Sequence, residues 1–323
     1  MVNTQEPEDL SWLRSLTSQT EGYIYYTMEK CENWGCIWDY LTADDTIYIK
    51  MDDDMVYIHP EAIPRVVQTR IEHPNPFAIS GNIINTMLMG YMHYRTGALH
   101  AFYPEPHSKP TWPASESWRI SELPQFPETV DIPGDYDVLD MEPVFKGQRW
   151  LPVGNDTIFD MLKTPIGKFD AKEQVTPWGS ALRSWAQGVQ QEYSLLKNLE
   201  DNTLKHYIFG SSLDNDTPGI SDTLWDTKFL RYNLNFCAIW GKDVRENLPI
   251  SDDEQAITED LPRKTGRPYV IETRALTAHF HFGPQRENII KTDLLDRWRA
   301  YANDQVCTVK NLKRPFDDRC EGY

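Results

Sequence analysis

The sequence from residue 47 to residue 58 reads Ile47-Tyr48-Ile49-Lys50-Met51-Asp52-Asp53-Asp54-Met55-Val56-Tyr57-Ile58. A short run of β-branched, aromatic and apolar residues leads directly into three consecutive carboxylates, and a second apolar run follows. The first run, Ile47–Met51, predicts a buried strand. In an open α/β sheet, ligands bind beyond the carboxyl ends of the strands, which is where we expect the three aspartates.

Three adjacent carboxylates repel one another, and burying them without partners is costly. A hard divalent cation such as Mg²⁺ or Mn²⁺, which takes oxygen ligands, makes such a cluster tolerable. Because alternate residues of an extended chain point the same way, Asp52 and Asp54 are candidates to share one ion while Asp53 faces elsewhere. The alternative is an acidic, solvated turn, although acidic turns are not usually set between two hydrophobic runs.

Composition narrows the classes of function. The chain has 323 residues, of which 40% are hydrophobic, which is enough for a full core. Its net charge of -17 argues against nucleic acid and anionic membranes as partners, and a phosphate ligand would need a local cation. No stretch approaches the ~20 apolar residues that span a bilayer. Residues 1–6 contain neither a basic nor an apolar segment, so we expect no signal peptide and favour a cytoplasmic location.

The five cysteines do not form a zinc pattern. Cys31 with Cys36 and Cys307 with Cys320 are possible bridges. Mainly free thiols in a reducing compartment fit an odd number of cysteines equally well.

The rest of the chain predicts alternating helices and strands. Helical patterns cover residues 6–16, 34–41 and 60–70, a helix opened by Thr176 and Pro177, and a final helix capped by Thr292. Strand patterns cover residues 22–26, 77–80, 234–240, 269–271 and 275–282. Residues 101–154 are dense in proline and aromatic residues and predict a long irregular insertion. We expect one domain over residues 1–303 and a tail over 304–323.

Two further clusters carry candidate chemistry. Ser251-Asp252-Asp253-Glu254 matches a capping box, in which Ser251 and Glu254 cap a helix. The functional alternative is that one carboxylate of this cluster is a general base for an attacking hydroxyl. In Ala278-His279-Phe280-His281-Phe282 the two histidines share a face of a strand. Such a histidine is often a core residue, but His279 becomes a candidate ligand because an ion held by two carboxylates has room for an imidazole.

Taken together, these pieces resemble a fungal glycosyltransferase of the GT-A type, which uses a nucleotide-sugar donor and a divalent metal. The resemblance rests on Lys50 to Asp54, an Asp-x-Asp motif, and on Gly81-Asn82-Ile83-Ile84-Asn85, Asp252-Asp253-Glu254, Leu261-Pro262, Gly266-Arg267-Pro268, Ala278-His279-Phe280 and Gln285. It implies a single α/β domain with a central mixed, mostly parallel sheet flanked by helices.

The resemblance also implies roles. Asp52, Asp54 and His279 would hold Mn²⁺ or Mg²⁺ against the donor diphosphate, and Asp52, Asp53 and Asn82 would contact the donor. Asp253 or Glu254 would activate the hydroxyl of an acceptor, which is a small molecule or a glycan. The pattern does not choose between these two acids.

Two other functions fit the same residues. A metal-dependent phosphohydrolase or nucleotidyltransferase would use the carboxylates around two ions. A non-catalytic carbohydrate- or nucleotide-binding protein would keep a degenerate site. The aromatic insertion favours the glycosyltransferase, since sugar sites are often walled by tryptophan and tyrosine. We therefore expect Trp112 and Trp118 near the acceptor side of the cleft, or alternatively in the packing of the insertion itself.

Overall fold

The computed structural model describes residues 6–26, 34–106, 117–130, 141–210, 223–309 and 312. The strands are β1 (Ile47–Met51), β2 (Met55–Ile58), β3 (Ala78–Ile84), β4 (Phe102–Pro104), β5 (Trp150–Pro152), β6 (Leu224–Asp226), β7 (Phe236–Trp240) and β8 (Tyr269–His279). The α-helices are α1 (Pro7–Gln19), α2 (Ala62–Glu72), α3 (Met89–Arg95), α4 (Ile158–Met161), α5 (Ala171–Val175), α6 (Ser180–Arg183), α7 (Trp185–Glu200), α8 (Gly241–Arg245), α9 (Asp253–Gln255), α10 (Leu261–Thr265), α11 (Arg286–Ile289) and α12 (Leu294–Gln305). A π-helix covers Ala256–Asp260, and 3₁₀ turns cover Trp34–Tyr40, Ile120–Glu122, Pro165–Lys168, Leu204–Tyr207 and Gly283–Gln285.

The central sheet has the strand order β1-β7-β3-β8-β2, with β6 added beside β8. The α/β class and the mixed sheet are confirmed, but the expectation of a mostly parallel sheet is wrong. Only β3 and β8 form a parallel pair, and the other pairs are antiparallel. The physical reason is β7, which enters between β1 and β3 and runs against both of them.

Two hydrophobic clusters cover the two faces of this sheet. Successive residues of β3 point into different clusters: Ile83 belongs to one and Ile84 to the other. The alternation of side chains along a strand requires this. The long helix α7 packs on the face of Ile84, and α2 packs on the face of Ile83. The prediction that Ile47–Met51 is buried is wrong, because β1 lies at an edge of the sheet and is only half-buried.

A bulge in β8 determines where that strand ends. In the parallel ladder, Gly81 lies opposite Glu272 while the next residue, Asn82, lies opposite Leu276, so residues 273–275 bulge out of β8. A Cβ on Gly81 would lie 2.8 Å from the Ala275 carbonyl oxygen, which explains the glycine. Asn82 Nδ2 donates to the Thr273 carbonyl oxygen at 3.1 Å and closes the bulge. The last residues of β8 then pair with β2, and His279 lies opposite Met55.

The helix predicted to begin at Thr176 begins eight residues later. Ser184 is the N-cap of α7, and its hydroxyl accepts a hydrogen bond from the Gln187 amide. Thr176 instead ends α5. The predicted strand at residues 22–26 is also wrong, because this segment is a turn followed by irregular chain. The strand patterns at 269–271 and 275–282 form one strand, β8, which ends at His279.

Of the cysteines in the described segments, Cys36 is disulfide-bonded. Cys237 and Cys307 are free, so the possible Cys307–Cys320 bridge is wrong. No helix within the described residues is long and apolar enough to cross a membrane.

Candidate metal centre

The acidic triplet connects β1 to β2 at the end of the sheet where β1, β3 and β8 finish and where β7 and β2 begin. The Asp52 amide donates to the Asn235 carbonyl oxygen at 3.0 Å, which extends the pairing of β1 with β7. The Phe280 amide donates to the Asp54 carbonyl oxygen at 3.0 Å, which extends the pairing of β2 with β8. Because β1 and β2 lie at opposite ends of the main strand order, the three aspartates connect the two sides of the sheet and reach the end of β8.

This crossing brings Asp52, Asp54 and His279 together. One potential ligand atom from each of the three side chains lies within 4.8 Å of the other two. The end of β8 therefore lies beside the acidic triplet, as a site shared by Asp52, Asp54 and His279 requires. His279 is buried; its Nε2 lies 3.0 Å from Asp54 Oδ1, and its Nδ1 has no hydrogen-bond partner in the described part of the chain.

These residues fit a divalent ion. Ligand atoms on adjacent corners of an octahedron around Mg²⁺ lie about 3.0 Å apart, which matches the separation of His279 Nε2 from Asp54 Oδ1. The two carboxylates suit Mn²⁺ or Mg²⁺, the imidazole favours a transition ion such as Mn²⁺ over Mg²⁺, and the two negative charges balance a 2+ ion.

Neighbouring polar groups orient the Asp52 carboxylate. Asn235 Nδ2 donates to Asp52 Oδ2 at 2.6 Å, and the Lys50 ammonium pairs with Oδ1. Partners of this kind fix ligand orientation in metal sites. The Lys50 ammonium also offsets part of the negative charge of the three aspartates.

Histidines control the charge of Asp54. Burial alone would raise the pKa of this carboxyl, but the hydrogen bond with His279 and the charges of His279 and His281 outweigh it and hold the pKa below its ordinary value. The pKa of His281 is lowered by burial, against the opposing charge of Asp54. Asp54 is thus kept ionised, as a metal ligand must be.

The second acidic cluster lies beside this group. The helix cap is Asp252 rather than the predicted Ser251, because Asp252 Oδ1 accepts from the Gln255 amide at 3.1 Å. Burial raises the pKa of Asp253, while the Lys50 charge lowers it and the Asp52 charge raises it. Neither Asp253 nor Glu254 belongs to the ligand group.

Glu254 has its own set of partners. Arg231 Nε lies 2.9 Å from Glu254 Oε1, and Asn233 Nδ2 lies 3.4 Å from Oε2. Burial raises the pKa of Glu254, and the pairing with Arg231 only partly opposes the rise. A carboxyl with a raised pKa is suited to general-base chemistry, so both acids remain candidates for that role.

Sequence reasoning missed the segment that joins the two clusters. Arg231 and Asn233 contact Glu254, and Asn235 contacts Asp52, from alternate positions of one extended segment. The intervening residues Tyr232 and Leu234 are buried in the core. The available signal was the strict polar–apolar alternation of Arg231-Tyr232-Asn233-Leu234-Asn235-Phe236, which is typical of a strand with one solvated face.

The predicted donor contact of Asn82 is wrong. Asn82 is fully buried, its Nδ2 donates to the Tyr207 and Thr273 carbonyl oxygens, and its Oδ1 lies 2.8 Å from His93 Nε2. Every polar atom of its amide is therefore engaged in the β8 bulge and the core. Asp53 is exposed in the turn between β1 and β2, and its donor contact stays a prediction.

The tryptophans of the insertion have different outcomes. Trp118 is 5% exposed, its ring packs 5.0 Å from that of Tyr301, and its Nε1 donates to Asp304. These contacts fix the insertion to α12, which supports the packing alternative for Trp118. Trp112 lies outside the described residues.

Comparisons with known protein families, with curated proteins and with solved structures found no match for the chain.

Proposed function

We propose that this protein is a metal-dependent glycosyltransferase of the GT-A type, which moves a sugar from a nucleotide-sugar donor to an acceptor hydroxyl. The observation that carries the proposal is the convergence of His279 with Asp52 and Asp54, which precede it by more than 220 residues in the chain, at the end of β8. Asp253 and Glu254, each with a raised pKa, are linked to that group by one segment, in which Asn233 contacts Glu254 and Asn235 contacts Asp52.

The proposed roles follow from these contacts. A divalent ion on Asp52, Asp54 and His279 would act as a Lewis acid toward the departing nucleotide diphosphate. Asp253 or Glu254 accepts the proton of the acceptor hydroxyl. Arg231 and Asn233 hold the Glu254 carboxylate in place, and Asn235 holds Asp52.

One observation favours this function over a two-ion phosphohydrolase. Two-ion sites need ligands for a second ion about 4 Å from the first. In the described segments, Asp52, Asp54 and His279 form one group of three, and Asp253 and Glu254 are not part of it. A separate base and a single ion suit transfer to a hydroxyl better than two-ion hydrolysis does.

A thermal-shift panel of UDP, GDP and ADP, each with and without Mn²⁺, tests the proposal. We expect one nucleotide to raise the melting temperature only when Mn²⁺ is present, because binding stabilises the folded state by mass action. The corresponding nucleotide sugars then serve as donors in an assay of nucleotide release with sugar acceptors. Metal-independent stabilisation by every nucleotide, or release of inorganic phosphate, would contradict the proposal.

A further inference from the structure

Trp178 occupies a tight turn where the backbone favours glycine. The Gly179 amide donates to the Thr176 carbonyl oxygen at 3.0 Å, which closes a four-residue turn. Pro177 stands second in this turn, and Trp178, third, has a φ of 57°. A type II turn has the same features, and its third position normally holds glycine or asparagine because φ is positive. The backbone therefore gives no reason for an indole here, and 44% of the Trp178 side chain is exposed.

The Trp178 ring lies between the two clusters of the candidate site. Its centroid is 6.2 Å from that of Phe282, whose ring is 4.5 Å from that of His279. The Arg231 guanidinium carbon is 5.8 Å from the Trp178 ring centroid. The same guanidinium holds Glu254 through its Nε. One aromatic side chain thus connects the metal-ligand group with the candidate base.

Hydrogen bonds fix this arrangement to the sheet. The buried Gln285 donates from Nε2 to the Leu182 carbonyl oxygen at 2.7 Å and accepts the Phe282 amide at 3.1 Å. It also exchanges hydrogen bonds with Asn85, which follows β3. The segment that carries Trp178 is therefore tied to the ends of both β3 and β8, so the exposed indole has a defined position relative to His279.

An exposed aromatic face beside a guanidinium and carboxylates suits a carbohydrate. One face of a pyranose ring presents C–H groups that pack on an indole, while its hydroxyls need charged or polar partners at the rim. We propose that Trp178 is the stacking platform for a pyranose ring of the acceptor, which directs a hydroxyl of that ring toward Glu254 or Asp253. This inference rests on the proposed function and names its acceptor class.

Binding of simple glycosides tests the platform. Saturation-transfer NMR, with Mg²⁺ present, would follow methyl β-D-glucopyranoside, methyl β-D-galactopyranoside and methyl α-D-mannopyranoside, with sorbitol as the open-chain control. Trp178→Gly suits the positive φ and so retains the fold, whereas Trp178→Phe retains an aromatic face. Trp12→Ala removes a more exposed indole, 63% against 44%, from α1, at a distance in sequence from the site.

We expect at least one glycoside to bind the wild-type protein and to bind Trp178→Gly at least about tenfold more weakly, a change that corresponds to ~1.4 kcal/mol. Trp178→Phe and Trp12→Ala should retain most of the affinity. Equal binding by wild type and Trp178→Gly, or no binding of any glycoside to the wild type, would overturn the platform.

Mn²⁺ titration of the same variants separates this inference from the proposed function. Trp178→Gly should bind Mn²⁺ as the wild type does. Mn²⁺ binding without glycoside binding would contradict the proposed stacking role of Trp178 and would leave the proposed metal site standing. If the protein binds a glycoside through Trp178 but binds no Mn²⁺, the stacking role of Trp178 is supported and the proposed metal-dependent glycosyltransferase is contradicted.

Discussion

The three aspartates of the acidic triplet share one side chain but differ in where that side chain points. Asp52 and Asp54 point into the candidate metal group, whereas Asp53 between them is exposed. The turn between β1 and β2 accounts for the difference, because Asp53 lies in it with its side chain in solvent. The triplet thus contains its own control, because the same charge can be removed at a ligand position or at its neighbour.

Loss of a residue that only orients a metal ligand lowers metal affinity about 10- to 100-fold. Asp54→Asn removes a candidate ligand itself, so it should lower Mn²⁺ affinity by more than that. Asp53→Asn changes the net charge equally but removes no ligand, so we expect a change of only a few-fold. Isothermal titration with Mn²⁺, without nucleotide, measures both. Similar losses in the two variants would mean that the triplet attracts cations only by its overall charge.

The raised pKa values of Glu254 and Asp253 predict how the rate of the proposed reaction depends on pH. Burial raises both pKa values, so the base becomes protonated at a higher pH than an ordinary carboxyl. We expect kcat/KM to fall with decreasing pH, with a midpoint above the ordinary glutamate value of 4.5. Glu254→Gln and Asp253→Asn, compared by kcat at saturating donor, identify the base as the residue whose change stops the chemical step and spares donor binding.

The same shift has a defined sign for stability. Because the folded-state pKa is raised, the folded protein holds the proton at a pH where the unfolded chain has released it. The contribution of these groups to stability is therefore greatest below the ordinary pKa, and it is lost as the pH rises through the folded-state value. Glu254→Gln should flatten this part of the profile of unfolding free energy against pH.

Among the elements, the extended segment before β7 connects the two clusters. Asn235 contacts Asp52, and Asn233, two residues earlier, contacts Glu254 and accepts the Met87 amide at 3.0 Å. Both are asparagines in one segment with their amides on the same side, so they form a matched pair. Each should affect only the cluster that it contacts.

Asn235→Ala should lower Mn²⁺ affinity about 10- to 100-fold, since the Asp52 carboxylate loses the group that orients it. Asn233→Ala should leave Mn²⁺ affinity nearly unchanged and lower kcat. Mn²⁺ titration and steady-state kinetics on the two variants check this. A loss of Mn²⁺ affinity in Asn233→Ala equal to that in Asn235→Ala would show that the segment acts only as a structural unit.

Elements were predictable from sequence where the signal was local. The strand β1 and the helices α1 and α2 followed from patterns within a few residues. The start of α7 did not, because Thr176-Pro177 satisfies the same local rule as a true N-cap. Ser184 prevails because the helix from Trp185 onward is buried on nearly every side, and tertiary packing outweighs local capping preference.

At the scale of the whole molecule, the candidate site depends on pairings between distant parts of the chain. The sequence around His279 gave no indication that β8 would lie beside β2. His279 was predicted as a metal ligand because an ion held only by Asp52 and Asp54 has room for an imidazole. The antiparallel β7 was not predictable, because its direction is set by pairings with β1 and β3. Asn82 was misassigned because its role closes a bulge that no local pattern reveals.

Because an ion on Asp52, Asp54 and His279 would join β8 to the β1–β2 connection, its binding should stabilise the whole fold. When Mn²⁺ is well above its dissociation constant, one site adds ~1.4 kcal/mol to the free energy of unfolding for each tenfold rise in Mn²⁺, and two sites add twice as much. We expect the slope for one ion, measured by chemical denaturation over a series of Mn²⁺ concentrations, with Asp53→Asn retaining that slope and Asp54→Asn losing it. A slope for two ions would instead favour the phosphohydrolase mechanism, because a second ion is what that chemistry requires.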